Sequence, residues 1–223
     1  MRNIVLFAFV VLNVFNAFGD IGVVKLRIYQ ESINGIETIS FYTIKDSLSK
    51  KIKIDLFFSN HGGIQLTKSF DSLGIQGMSF NPMSFINKGD WVTIYFRCVN
   101  KFDNWVEVVI DENTGKTLWL YSKNNLKLYD WNKFLKKNAV ALSVITTDSL
   151  VLKKAPDKLS ESIVYKNRNC FLGKKIKGDW LFVNSNGEFC YKDGAQSPNA
   201  KAWLKFKEND KMLIKIMEIY EED

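Results

Sequence analysis

Apolar and polar side chains alternate with period two from Val23 almost to the end of this chain, in short runs cut by turn residues, and this confines the fold to β-structure. Val23, Val24, Leu26 and Ile28 alternate with Lys25 and Arg27. Further strands are expected at 39–44, 52–56, 91–98, 105–110 and 117–121, with turns at 45–47, 100–104 and 111–116. The same grammar resumes at 149–153, 162–165, 170–176, 180–183, 202–206 and 212–216. Aromatic residues make up 14% of the chain, and flat side chains suit a pleated, half-buried surface. Beyond residue 20 only 130–135 reads as helical: Asp130 caps a first turn, and Trp131, Phe134 and Leu135 share one face.

The two halves can be set against each other. Asn104-Trp105-Val106-Glu107-Val108 matches Asp179-Trp180-Leu181-Phe182-Val183, and Leu118-Trp119-Leu120-Tyr121 matches Ala202-Trp203-Leu204-Lys205-Phe206. The Trp-to-Trp spacing is 14 in the first half and 23 in the second, and the extra residues fall around 189–199. The pattern is one ancestral hairpin with an inserted loop.

At these residues the chain resembles bacterial SH3-like domains. The turn-containing strand 150–157, the Gly178-Asp179-Trp180-Leu181-Phe182-Val183 strand and the closing Ala202-Trp203-Leu204 strand follow one another as in that family, with Ala202 where glycine is usual. The second unit matches over about 141–217, and the first mainly over 89–129. The paired units and their Trp-x-x-Phe-Leu connection are also similar to exported proteins of Bacteroidota-type bacteria. The resemblance implies an all-β fold: two small SH3-like β-barrels in tandem with a short connecting helix. Their bounds would be 20–137 and 138–223. Family members attached to cell-wall enzymes bind peptidoglycan peptides. The resemblance thus implies a binding module whose partner is a peptide, peptidoglycan or another protein. The alternative is a structural or assembly protein that packs on a partner through its barrels.

Residues 1–19 read as a cleaved signal peptide. Arg2 supplies the positive start, an apolar run follows, and Ala17-Phe18-Gly19 places small residues before Asp20. The apolar run is too short for a comfortable membrane span, and no later segment is long enough. A periplasmic or extracellular location follows, with no membrane span after cleavage and no nucleic acid among the partners. Export permits disulfides, but Cys98, Cys170 and Cys190 are odd in number. Cys170 and Cys190 are the plausible pair. A hairpin turning near Gly178 would set Cys170 opposite about residue 186, which favours reduced thiols.

Catalysis is not expected. The single histidine, His61, lies in Ser59-Asn60-His61-Gly62-Gly63 and precedes every cysteine. That order is the reverse of the cysteine peptidases that carry SH3-like modules. Cys-x-x-Cys metal spacing, a Gly-x-Ser-x-Gly elbow and a phosphate-binding glycine loop are all missing from the sequence, so no cofactor is expected. Asp111-Glu112 is a carboxylate pair in an expected turn, where neighbouring side chains point apart into solvent. The formal charge of +7 is scattered.

Candidate ligand-binding residues are Tyr191, Lys201, Trp203 and Lys205. Alternation puts Lys201, Trp203, Lys205 and Lys207 on one face, beside the inserted loop that carries Tyr191. Trp105, Trp119, Trp180 and Trp203 are open to two readings: bulk for the core of a small barrel, or stacking platforms.

Overall fold

The computed structural model describes residues 21–29, 36–58, 64–67, 80–87, 91–122, 126–144, 151–163, 170–184, 201–208 and 211–221. The expected signal segment 1–19, His61, Cys190, Tyr191 and the expected loop 189–199 lie outside the described residues.

The described chain is all-β apart from one short helix. The first half supplies β1 (Gly22–Tyr29), β2 (Ile36–Tyr42), β3 (Lys51–Phe58), β4 (Ile64–Thr67), β5 (Ser84–Asn87), β6 (Trp91–Phe102), β7 (Trp105–Asp111), β8 (Lys116–Tyr121) and β9 (Leu126–Tyr129). The helix α1 (Trp131–Lys137) follows. The second half supplies β10 (Asn138–Val144), β11 (Leu152–Lys153), β12 (Ser162–Ile163), β13 (Cys170–Lys177), β14 (Trp180–Asn184), β15 (Lys201–Lys205), β16 (Lys207–Glu208), β17 (Lys211–Met212) and β18 (Ile214–Glu221).

The first sheet runs β4-β3-β2-β8-β7-β6-β1-β9, with β5 also on β6, and the second runs β12-β11-β15-β14-β13-β10-β18. These are one order written twice. Each sheet has a three-strand meander, flanked on one side by its first strand and then its last, and on the other by a hairpin, short in the second sheet and extended by β4 in the first. The register repeats as well. Gly22, Cys98, Val108 and Leu118 lie in one cross-strand row, and Val140, Gly173, Val183 and Ala202 lie in its counterpart. A bulge interrupts β6 between Cys98 and Asn100 and β13 between Gly173 and Lys175, the same place relative to the tryptophans. The tight turns match too: β6 continues to Phe102 and turns at Asp103 with φ +49°, where the second hairpin has Gly178 with φ +57°. The first turn is therefore shorter than the expected 100–104, because an aspartate takes the left-handed position that glycine takes in the other hairpin.

Inward residues of the first sheet build one core from strands at both ends of the order. Val24, Leu26 and Ile28 of β1 meet Ile39 and Phe41 of β2, Ile54 and Leu56 of β3, and Phe96 of β6. The sheet must coil on itself to bring these together. The T-shaped pairs Phe41–Phe96 at 5.9 Å and Phe41–Phe80 at 6.2 Å sit at its centre.

The second core does not stop at the second sheet. Leu142, Leu152, Phe171, Leu181, Leu204 and Ile216 are continuous with Trp131, Phe134 and Leu135 of the helix, and with Val23, Met83 and Tyr95 from the first half. Asp130 caps the helix by accepting the Lys133 backbone N–H at 2.9 Å, and that bond holds its carboxyl below the usual aspartate range. The apolar face expected from Trp131, Phe134 and Leu135 is buried in full. Phe134 meets Tyr95 of β6 at 5.6 Å, and Trp131 meets Phe206 at 5.8 Å. On the polar side, Asn132 accepts the Ile176 backbone N–H at 2.9 Å.

Two stability outcomes follow. Trp131→Ala is expected to lower the unfolding free energy by about 3–5 kcal/mol, as a large-to-small change in a shared core. Denaturant unfolding followed by fluorescence and by circular dichroism should then show one coincident transition for both halves. Gly22→Ala is expected to cost upward of about 3 kcal/mol, the top of the overpacking range, because a Cβ there would lie 2.0 Å from the Tyr129 carbonyl oxygen. Unfolding midpoints measure both.

Candidate functional site

Strand alternation fixes what the second sheet shows to solvent. In β15 the pattern is exposed Lys201, buried Ala202, half-buried Trp203, buried Leu204 and half-buried Lys205. Lys201, Trp203 and Lys205 therefore share the outer face, while Ala202 and Leu204 enter the core. Lys207 does not join them. After Phe206 the strand breaks, and Lys207 is buried, 4.0 Å from Asp179. Two-residue alternation holds through Phe206, which enters the core with Ala202 and Leu204, and fails at Lys207, where β16 pairs with β17 instead.

Cross-strand pairing assembles the rest of the face. Lys175, Phe182, Trp203, Lys153 and Ser162 follow one another across β13, β14, β15, β11 and β12. Lys177, Trp180 and Lys205 form the adjacent row. Phe182 and Trp203 pack at 5.2 Å between ring centroids. The Lys175 ammonium lies 5.2 Å from the Phe182 ring centre and 5.4 Å from that of Trp203, within cation–π range. Lys153 donates to the Ser160 carbonyl at 2.9 Å and the Ser162 hydroxyl at 3.0 Å. The side-chain oxygen of Asn184, opposite Lys201, is buried and has no hydrogen-bond donor among the described residues.

Lys205 is paired with Glu208. The hydrogen bond from Lys205 lowers the Glu208 carboxyl below its ordinary value, its charge adds to the shift, and Lys158 from the 154–161 loop contributes. That loop therefore stands beside the lysine-bearing face.

The outer face of the first sheet is its counterpart, with other chemistry. Asn100, Glu107, Trp119, Tyr42 and Lys51 occupy the row of Lys175, Phe182, Trp203, Lys153 and Ser162. Trp105 is packed edge-on between Tyr42 at 4.9 Å and Tyr121 at 5.0 Å. Lys45 stands 3.5 Å over the Phe102 ring, and Lys51 lies 5.7 Å from the Tyr42 ring centre.

The four repeated tryptophans are not core. Trp105, Trp119, Trp180 and Trp203 are all half-buried on outer faces, and the strand positions that face the cores hold mainly Val, Ile, Leu and Phe. Aliphatic residues at the alternate positions already close these small interiors, so the tryptophans are displaced outward. The structure brings Lys201, Trp203 and Lys205 together, and Tyr191 lies outside the described residues. Sequence reasoning missed Lys153, Lys175 and Phe182. Their link to Trp203 is a cross-strand register, which the tryptophan-anchored repeat carried without stating.

Asp111-Glu112 points apart as expected but is not solvated. Asp111 is buried and accepts from the Asn113 backbone N–H at 3.0 Å and the Thr114 hydroxyl at 2.8 Å. Glu112 accepts the Arg97 Nε–H, its two oxygens 2.9 and 2.8 Å away. The turn lies against Asn81, whose backbone bonds Ile110 and Glu112, and this removes water from it. Cys98 is buried, and its thiol donates to the Asn100 carbonyl at 3.2 Å.

Among the described residues no group of three or more His, Cys, Asp or Glu could hold a metal ion, and no helix is long and apolar enough to cross a membrane. No family model, no curated protein and no solved structure matches this chain.

The Lys205–Glu208 pair gives a pH signature. The folded Glu208 pKa is depressed, so its contribution to stability is present above the unfolded glutamate range and is lost as pH falls through the folded value. Carboxyl-carbon NMR titration should find Glu208 below the ordinary glutamate range in the wild type. Lys205→Met should return it toward that range.

Proposed function

We propose that this chain is an exported, non-catalytic binding protein. In this reading its two units are SH3-like barrels, and the lysine-and-tryptophan face of the second sheet takes an extended anionic chain, a peptide or the peptide stem of peptidoglycan. The observation that carries it is the row Lys175, Phe182, Trp203, Lys153, with Trp180, Lys177 and Lys205 alongside. Two stacking surfaces stand within a field of lysines whose acidic counterpart on that face is Glu208, bound to Lys205. Flat aromatic grooves hold extended peptides by apolar contact, and lysines bias them toward carboxylates. The repeated order of last strand, first strand and three-strand meander supports two copies of one small barrel.

One observation favours the second reading, an assembly protein that docks on a partner. The apolar core shared by the helix, Tyr95 and the second sheet joins the halves into one body, as a scaffold requires.

Retention on purified peptidoglycan separates the two. The wild type is expected to be retained at low salt and released at about 0.5 M salt, where exposed charges are screened within a few ångströms. Trp203→Ala and Lys175→Glu are each expected to weaken retention roughly tenfold, about 1.4 kcal/mol, with unfolding midpoints near that of the wild type. A folded wild type that is not retained at low salt removes the cell-wall reading and leaves the assembly reading.

A further inference from the structure

The loops 43–50 and 154–161 are one loop built twice. Each closes a hairpin whose mouth pairs Tyr42 with Lys51 in the first half and Lys153 with Ser162 in the second. Three hydrogen bonds donated by backbone N–H groups recur in both. The Asp46 N–H bonds the Ile44 carbonyl at 2.8 Å, and the Asp157 N–H bonds the Ala155 carbonyl at 2.8 Å. The Ser49 N–H reaches the Asp46 carbonyl at 3.0 Å, and the Ser160 N–H reaches that of Asp157 at 3.2 Å. The Leu48 N–H donates to the Asp46 carboxylate at 2.9 Å, and the Leu159 N–H to that of Asp157 at 2.9 Å.

Three side chains recur in register across the loops: aspartate, leucine and serine. The turn explains the aspartates, which hold the tip N–H. It explains the serines too: Ser49 donates to the Asp46 carbonyl at 2.6 Å, and Ser160 accepts the Ala155 N–H at 2.9 Å. It does not explain the leucines, which lend the turn only their backbone. Leu48 and Leu159 are each 93% exposed, the most exposed large apolar side chains among the described residues. A polar residue would serve the turn equally well.

Their surroundings identify the partner. Lys45, Lys50 and Lys51 flank the first tip against Asp46, and Lys153, Lys154 and Lys158 flank the second against Asp157 and Glu161. Ile44, 57% exposed, widens the apolar point of the first loop. Tyr42 and Trp105 stand behind one loop, and Trp203 behind the other. Protein interfaces are depleted in lysine, and leucine is under-represented among their energetic hot spots. Leucine points with lysine shoulders and aromatic residues behind them suit an anionic lipid surface, where lysine meets headgroups and the apolar tip enters the acyl boundary.

We infer that the two loops are paired membrane anchors that insert Leu48 and Leu159 into an anionic lipid surface. This does not depend on the ligand of the second sheet's outer face. Anchors on one chain that reach the same lipid surface reinforce each other, because the second inserts from a high effective concentration.

Cosedimentation with vesicles tests it, using the full mature chain. Wild type is expected to sediment with phosphatidylcholine vesicles containing about a third phosphatidylglycerol, and to stay in the supernatant with phosphatidylcholine alone. Leu48→Ser and Leu159→Ser should each lower partitioning roughly tenfold, and together roughly a hundredfold. Both side chains are exposed, so circular dichroism and unfolding midpoint should match wild type. Failure of wild type to bind the anionic vesicles overturns the inference, as does a double variant that sediments like wild type. Loss confined to one leucine overturns the paired form.

Discussion

Everything else in this molecule hangs on β6 being buried on both faces. Seven consecutive residues, Val92–Cys98, are buried, where an ordinary half-exposed strand would show every second one. Val92, Ile94, Phe96 and Cys98 fill the first core, and Tyr95 points the other way into the core shared with the helix and second sheet. β1 does the same with Val24 and Val23. A strand pair sandwiched this way cannot swing, because moving either half exposes apolar surface at about 25 cal/mol per Å². The same burial requires Arg97, on the Tyr95 side, to bring a counter-charge with it. Glu112 supplies one, and its own backbone N–H is bonded to the Asn81 carbonyl.

The repeat shows which features the scaffold needs. The bulges after Cys98 and Gly173 fall at one register and bend each meander so that its sheet can coil around a small core. Both turns take a positive φ, through an aspartate in one case and a glycine in the other. Inward positions of the shared rows are Val108 and Leu118 in one half and Val183 and Ala202 in the other. They differ in volume but not in polarity, as a core fixed by pattern allows.

Most strands were legible because alternation is a local signal. Val23 to Ile28, 52–56 and the hairpin around Trp105 are of this kind, and so was the helix, where Asp130 and the Trp131, Phe134, Leu135 face agree. β9 and β10 were not legible. Leu126–Tyr129 is short, and Asn138–Val144 runs on from the helix as a nearly unbroken apolar stretch. Each becomes a strand only through pairing with β1 or with β13 and β18, contacts that no local pattern announces. The outer face of β15 was legible from alternation, yet its extension to Lys153 and Lys175 depends on cross-strand register. The tip leucines were invisible for another reason. Three matching residues in a loop of eight carry no weight until their hydrogen bonds are seen to coincide.

The two outer faces differ in their chemistry. Glu107 bonds the Thr117 hydroxyl at 2.7 Å at the place where the second sheet has Phe182 against Trp203. Phe102 and Tyr121 stand where the second sheet has Lys177 and Lys205. One face is thus aromatic and nearly neutral, and the other aromatic and basic. The two tryptophans of each face are retained through this change, although neither core uses them. A large apolar side chain held half in water costs solubility and contributes less to stability than it would inside. Its repetition at the same two positions on both sheets, beside loops that each lift a leucine into solvent, puts the chemistry of this protein on its surfaces.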